Sequence, residues 1–171
     1  MTDNIFISHG HNKRVLQRLK SFIENDLHLK TTILAEQPDA GLTVIEKLER
    51  YGKDCDFALI VLTGDDDTLH GGVRARQNVI HELGYFHGCL GRDKVLLLKQ
   101  NQVELFSNIS GLIYKEFPDD NIDSVFPDIR LALESRSAQQ GGRSVAVWVG
   151  RTPPADPKLG DLWVDTGKSK Q

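Results

Sequence analysis

The sequence predicts an α/β domain with a five-stranded parallel sheet and helices on both faces. Two observations lead to this fold class. Short apolar segments alternate with amphipathic segments over residues 4–134, as in chains of β-α-β units. The apolar segment 57–62 (FALIVL) is continuous, as expected of a strand that is covered on both faces. Right-handed crossovers bring the carboxyl ends of such strands to one edge of the sheet, where ligands bind.

Each element has its own signal in the chain. The five predicted strands are 4–8, 31–34, 57–62, 94–98 and 113–117. The four predicted helices are 12–24, a segment that begins after Thr43, 74–90 and 122–133. Thr43 and Glu46 form a capping-box pattern at the start of the second helix, and Gly91 ends the third. The loops at the ligand-binding edge are then 8–11, 35–42, 63–72 and 99–102.

The composition changes after residue 134. Residues 135–144 are rich in Ser, Gln and Gly, which is typical of a linker. Two short apolar segments follow, 145–149 and 162–164, and prolines lie between them. We therefore expect a main domain over 1–134, a linker over 135–144, and a short tail over 145–171 that can form a hairpin.

Composition also limits the setting of the protein. The formal net charge of -3 gives no reason to expect nucleic acid or an anionic membrane as a partner. No N-terminal segment looks like a signal peptide, and no apolar run is long enough to span a bilayer. Two cysteines are too few for a disulfide framework. We therefore expect a cytoplasmic protein.

The third predicted helix carries the most informative polar residues. At ~100° per residue, Val79, Leu83 and Phe86 define its buried face. Glu82 lies roughly 70° from the centre of that face, with Asn78 and Tyr85 on the same flank. This pattern fits the wall of a binding cleft. A solvated glutamate that only favours helix formation fits the spacing as well.

Residues 74–92 read RARQNVIHELGYFHGCLGR, which closely resembles the RARQNV..ELG.F.G.LGR signature of the bacterial TIR-like family. That family was first described as predicted nucleotide-binding proteins, and its domain is found fused to STING domains in anti-phage defence. Four further blocks resemble the family in the same order, so the resemblance covers residues 4–134. They are IFISHG at 5–10, ILAEQP at 33–38 with Gly41 and Thr43, FALIVLT at 57–63 with Asp65 and Asp66, and SNISG at 107–111.

The resemblance implies a flavodoxin-like TIR fold and the hydrolysis of NAD⁺ to nicotinamide and ADP-ribose or cyclic ADP-ribose. NAD⁺ is then the substrate, and neither a cofactor nor a metal is expected. Glu82 aligns with the catalytic glutamate of the family, and its carboxylate would stabilise the positive charge that develops on the ribose. The expected substrate-binding residues are Phe6, Ser8, His9, Asp65, Asp66, Arg74, Arg76, Asn78 and Tyr85.

These residues have different expected roles. Arg74 and Arg76 suit the pyrophosphate, because a guanidinium group matches phosphate oxygens. Phe6 or Tyr85 can stack on a base or on the nicotinamide ring.

The acidic segment Asp65-Asp66-Asp67 has more than one interpretation. It could bind Mg²⁺, as in receiver domains that share this fold, but the resemblance favours a contact with ribose hydroxyls or a role in bracing the loop. His81 and His87 are six residues apart on one helix, so they face different directions and cannot chelate a metal together.

The resemblance also implies self-association into an oligomer or filament, in which the BB loop of one copy completes the pocket of its neighbour. The BB-loop residues are Glu36, Gln37, Pro38, Asp39 and Gly41. The residues after 134 are too few for a fused STING sensor, so we expect activity to be gated by a sensor partner in trans or through self-assembly.

Two other functions fit the same residues. One is a non-catalytic TIR interaction module that builds a scaffold through the same loop. The other is a nucleoside deoxyribosyltransferase-like enzyme, in which Glu82 attacks the sugar. Fold alone does not separate these enzymes.

Overall fold

The computed structural model describes residues 4–67, 71–105, 107, 109, 111–140, 147–150 and 162–165. The chain divides into two units, 1–135 and 136–171. The elements of the first unit are β1 Asn4–Ser8, α1 Lys13–Ser21, β2 Lys30–Thr32, α2 Val44–Gly52, β3 Phe57–Leu62, β4 Asp66–Asp67, β5 Val73–Arg74, α3 Gln77–Cys89, β6 Val95–Gln100, β7 Val103–Glu104, β8 Tyr114–Phe117 and α4 Phe126–Gln140, of which the last runs into the second unit.

The main sheet has five strands in the order β2-β1-β3-β6-β8, and all four pairings are parallel. This confirms the predicted α/β fold. The central strand β3 is buried at all six positions, because helices cover both faces of the sheet. Since the strands are parallel, the carboxyl ends of β1, β3 and β6 lie at one edge.

Two apolar clusters fill the spaces on the two faces. Alternate residues of β1 divide between them: Ile5 and Ile7 pack with α1 and α4, whereas Phe6 packs with α3. This division follows from the two-residue period of a strand. The predicted buried face of α3 is confirmed, because Val79 and Leu83 are each 1% exposed and belong to the second cluster.

Local signals explain how the helices begin and end. The Asn12 side chain accepts a hydrogen bond from the backbone N–H of Val15 and caps α1. The predicted capping box of α2 is present, with reciprocal hydrogen bonds between Thr43 and Glu46. The chain leaves α3 at Gly91, whose φ of 86° suits glycine.

Several predicted boundaries differ in the structure. Strand β2 ends at Thr32, and a 3₁₀ turn begins at Leu34. Helix α3 begins at Gln77 rather than at Arg74, because Arg74 belongs to β5, which pairs with β4 and β7 in a small second sheet. Helix α4 continues to Gln140, so the predicted linker is wrong for residues 135–140. Extending an existing helix adds one hydrogen bond per residue, and Ser, Ala and Gln tolerate it.

The second unit contains two further strands, β9 Val147–Gly150 and β10 Leu162–Asp165. They pair in parallel, with Trp148 opposite Trp163. The predicted hairpin is therefore wrong, because a hairpin pairs its strands antiparallel. Within the described residues, no helix has the length and apolar character needed to cross a membrane.

Candidate active site

Glu82 lies against the end of β1. The Ser8 hydroxyl donates a hydrogen bond to Oε2 of the Glu82 carboxylate across 74 positions of sequence. Ser8 is the last residue of β1 and is 1% exposed, so its hydroxyl is directed into the protein rather than into solvent. Helix α3 crosses the same edge of the sheet and brings the carboxylate there. The fold thus joins two residues that the sequence placed in separate motifs.

Burial controls the charge of Glu82. Loss of hydration raises the pKa of the Glu82 carboxyl above its usual value. Three neighbours oppose this effect, first Ser8 through its hydrogen bond, then His81 and Arg76 through electrostatic interactions. Water is therefore partly excluded from the Glu82 carboxylate, and the attraction of this carboxylate for a cation is stronger there than in bulk water.

Two cavities meet at Glu82. The first cavity has a volume of about 240 Å³, and the second has a volume of about 390 Å³. Val44, Asn78 and Glu82 line both of them. The other residues of the first cavity are Ile7, His9, Gly10, Leu34, Ala35, Asp39, Leu42, Lys47 and Arg76. The other residues of the second cavity are Ile45, Leu48, Gln77 and His81.

The first cavity contains a buried lysine for which the sequence predicted no role. Lys47 of α2 is buried, and its ammonium group lies 2.7 Å from Oδ1 of Asp39. Its position could have been inferred from helical spacing, because Lys47 lies on the same face as Val44 and Leu48. A lysine on the apolar face of a short amphipathic helix indicates that the ammonium group at the end of its side chain is buried.

The turn after β1 forms another part of the first cavity. His9 lies in its wall, its Nδ1 is 2.6 Å from the Gly10 carbonyl oxygen, and burial lowers its pKa. Asp65 braces this turn. Its carboxylate accepts hydrogen bonds from the His11 backbone N–H at 2.7 Å and from the Thr63 hydroxyl at 2.9 Å. Of the roles predicted for Asp65, the structure shows the bracing contacts.

Besides Ser8, which bonds Glu82, and Asp65, which braces the turn, four predicted substrate-binding residues do not line either cavity. Phe6 is 0% exposed and packs on Phe86 with ring centroids 4.4 Å apart, so the prediction that it stacks on a substrate ring is wrong. Tyr85 packs edge-on against Phe86 and would touch any side chain at Gly52. Both aromatic residues face the core because helix and strand pack through them.

The other two are Arg74 and Asp66. They pair with each other in the small sheet, which places Arg74 on the exposed surface. Arg76, Asn78 and His9 are the predicted binding residues that the fold brings into the first cavity with Glu82.

The predicted BB loop borders the first cavity through Asp39. Glu36, Gln37 and Pro38 of this loop make contacts outside the cavity. Glu36 pairs with Lys20 at 2.7 Å. The Gln37 side chain donates a hydrogen bond to the Ile33 carbonyl, and the Pro38 carbonyl accepts one from the Tyr51 hydroxyl. Gly41 follows with a φ of 75°. In the part of the chain that the structure describes, no group of three or more His, Cys, Asp or Glu residues is placed to hold a metal ion.

Comparison with known proteins relates this site to a family. Residues 4–119 match the model of the family described as CAP12/Pycsar effector protein, TIR domain. The chain is 42% identical over 120 residues to the uncharacterized protein YuaY of Escherichia coli (strain K12), and the match covers 67% of this chain and 40% of that protein. It is 30% identical over 131 residues to protein tirC of Dictyostelium discoideum, covering 68% and 65%.

A third relative is the Pycsar effector protein PaPycTIR of Pseudomonas aeruginosa, which is 32% identical over 103 residues. That match covers 57% of this chain and 33% of the relative. The chain thus spans between about a third and two thirds of the lengths of these relatives.

Proposed function

The chain belongs to the family of CAP12/Pycsar effector TIR domains, and from that premise we propose that it is an NAD⁺ glycohydrolase that acts as an effector in anti-phage defence. Glu82 is the proposed catalytic carboxylate. The observation that carries the proposal is the position of Glu82, which is partly buried, lines both cavities and accepts a hydrogen bond from Ser8.

The proposed reaction breaks the bond between C1′ of the ribose and the nicotinamide nitrogen. Nicotinamide leaves with the bonding electrons and becomes neutral, so no strong general acid is needed. Positive charge builds on the ribose, and the Glu82 carboxylate stabilises it. Water then attacks C1′ and releases a proton to give ADP-ribose. An attack by the adenine of the same molecule instead gives a cyclic product.

The surroundings of Glu82 support this role. A carboxylate that has lost part of its hydration interacts more strongly with a neighbouring cation, because the local dielectric constant is lower. The same burial makes the charged form costly when no cation is present, and the Ser8 hydrogen bond offsets part of this cost. Such a shifted carboxyl group in a cavity is typical of an active site.

We also propose that the protein acts in a self-associated form. Val44 and Ile45 are 65% and 55% exposed, respectively, and both line the second cavity next to Glu82. Apolar side chains exposed beside a site favour burial by a partner. A second copy that covers them would exclude water from the second cavity. A sensor partner in trans would then act by promoting this assembly.

The test is an NAD⁺ consumption assay with product analysis over a range of protein concentrations. Wild type should consume NAD⁺, with a specific activity that rises with protein concentration, and Glu82→Gln should lose about 10³-fold or more, the usual scale for a main electrostatic catalytic group. Glu134→Gln is the matched control, because Glu134 is exposed on α4 and lies outside both cavities.

Three results would contradict the proposal. Equal activities of wild type and Glu82→Gln at every concentration would remove Glu82 from the reaction. If neither protein consumes NAD⁺ but both assemble normally, the non-catalytic module is favoured. A covalent ribosyl–Glu82 adduct, with exchange of bases between free nucleosides, would assign the deoxyribosyltransferase-like reaction instead.

A further inference from the structure

Lys47 is a buried charged group of the first cavity that the hydrolysis step does not use. Its side chain is 9% exposed, whereas that of Asp39, its ion-pair partner, is 86% exposed. A buried ammonium group without an anion is costly, but an exposed carboxylate is readily hydrated when it leaves. Asp39 can therefore leave at little cost, provided that another anion takes its place on Lys47.

A second cation lies in the same cavity. Arg76 lines the first cavity, and none of the ion pairs among the described residues includes it. An ammonium group and a guanidinium group in one cavity suit a ligand with two linked phosphates, since each can bond phosphate oxygens. The two carboxylates of this cavity, Asp39 and Glu82, oppose such a ligand until Asp39 moves away.

The backbone around Asp39 allows this movement. Ala40 and Gly41, which follow Asp39, have φ values of 48° and 75°. A side chain added at Gly41 would meet no atom within 4 Å, so this part of the loop is not packed against the domain. The ion pair with Lys47 is the contact that ties Asp39 to α2.

We propose that Lys47 and Arg76 form a diphosphate-binding subsite, which Asp39 occupies until a dinucleotide displaces it and so releases the loop over 39–42. This inference rests on the proposed function in taking NAD⁺ as the ligand. It replaces Arg74 with Lys47 as the second cation for the pyrophosphate. It also makes the BB loop sensitive to whether the substrate is bound.

The experiment measures binding without turnover, by calorimetry on the Glu82→Gln protein. The two ligands are NAD⁺ and nicotinamide riboside, which lacks the diphosphate. Adding Lys47→Met should weaken NAD⁺ binding about tenfold, the scale of one charge-assisted hydrogen bond, and change riboside binding less than about twofold. Lys47→Arg should recover most of the NAD⁺ affinity, and Asp39→Asn should increase it.

Lys20→Met is the matched control. Lys20 makes an equivalent ion pair with Glu36 at 2.7 Å, at the beginning of the same loop, but it lies outside both cavities. It should leave the affinity for both ligands unchanged. In ¹⁵N spectra of the Glu82→Gln protein, NAD⁺ should shift the Gly41 amide signal and the riboside should not.

The proposed subsite would be contradicted if Lys47→Met weakened the binding of both ligands equally or if Asp39→Asn weakened NAD⁺ binding. It would also be contradicted if the Glu82→Gln protein bound no NAD⁺. The proposed function fails on a different result: wild type leaves NAD⁺ intact while binding still depends on Lys47. The two failures are therefore distinguishable, because one is read from affinity and the other from product.

Discussion

Removal of the Ser8 hydroxyl should move the pH dependence of activity without removing the site. Ser8 donates to the Glu82 carboxylate and is 1% exposed, so it positions Glu82 and has almost no surface to offer a substrate. The hydrogen bond favours the ionised form of Glu82 and keeps its pKa below the value that burial alone would set. Ser8→Ala should therefore raise the pKa of Glu82.

The size of the effect follows from the kind of bond that is lost. A hydrogen bond to a charged group contributes about 1.5–3 kcal/mol, and about 1.4 kcal/mol corresponds to a factor of ten. On the acid side of the profile, where activity follows the ionised fraction of Glu82, Ser8→Ala should be about 10- to 100-fold less active than wild type. At higher pH, where Glu82 is ionised in both proteins, the difference should become small.

The assay is the initial rate of NAD⁺ consumption as a function of pH, with KM and kcat measured separately. Ser8→Thr should restore the acid limb, because it retains the hydroxyl. Ser124→Ala is the control, since the Ser124 hydroxyl bonds only the Asn121 carbonyl at an exposed position among the described contacts. If Ser8→Ala left the acid side of the pH–rate profile unchanged but raised KM at all pH values, the prediction would be refuted and Ser8 would be a substrate contact.

Three further predictions concern stability. Burial raises the folded-state pKa of Glu82, so the charge of Glu82 opposes folding above the pKa of the unfolded state. Glu82→Gln should therefore raise the free energy of unfolding by roughly 0.5–2 kcal/mol at neutral pH. In urea titrations at acid pH this gain in stability should vanish. Gly10→Ala should lower the free energy of unfolding by about 1–3 kcal/mol, because its Cβ would lie 1.6 Å from an oxygen of the braced Asp65. Gly84→Ala, whose Cβ would meet nothing within 4 Å, should raise the free energy of unfolding by about 0.5–1 kcal/mol. Equal effects of the two variants on Tm would contradict this contrast. Thr43→Ala should cost about 0.5–2 kcal/mol by removing the capping box of α2, and an unchanged denaturation midpoint would show that the cap does not contribute.

Much of the fold could be predicted because its signals are local. Strand β3 is recognisable from six consecutive apolar residues, and the capping box at Thr43 needs only a hydroxyl and a carboxylate three residues apart. The rim position of Glu82 followed from helical periodicity, and the resemblance then supplied its proposed role. The wrong predictions arose where local signals were weak or ambiguous. The serine- and glutamine-rich residues 135–140 fit both a linker and a helix.

Pairing of distant segments was the other source of error. The two short strands of the second unit were located from their composition, but their parallel pairing depends on the path of the chain between them. Composition does not encode that path. The direction of pairing therefore had to come from the structure.

The sequence by itself determined the order and type of the elements of the main sheet and its helices, the family, and the position of Glu82 at the rim of its helix. The tertiary structure decided what surrounds that carboxylate. It placed the Ser8 hydroxyl on Glu82 and the Lys47 ammonium group in the first cavity, and it buried Phe6 in the core. These contacts join β1, α2 and α3, and they depend on how a parallel sheet aligns its strand ends and how helices rotate as they pack on it. Such alignment is a property of the whole core, which no local stretch of sequence specifies.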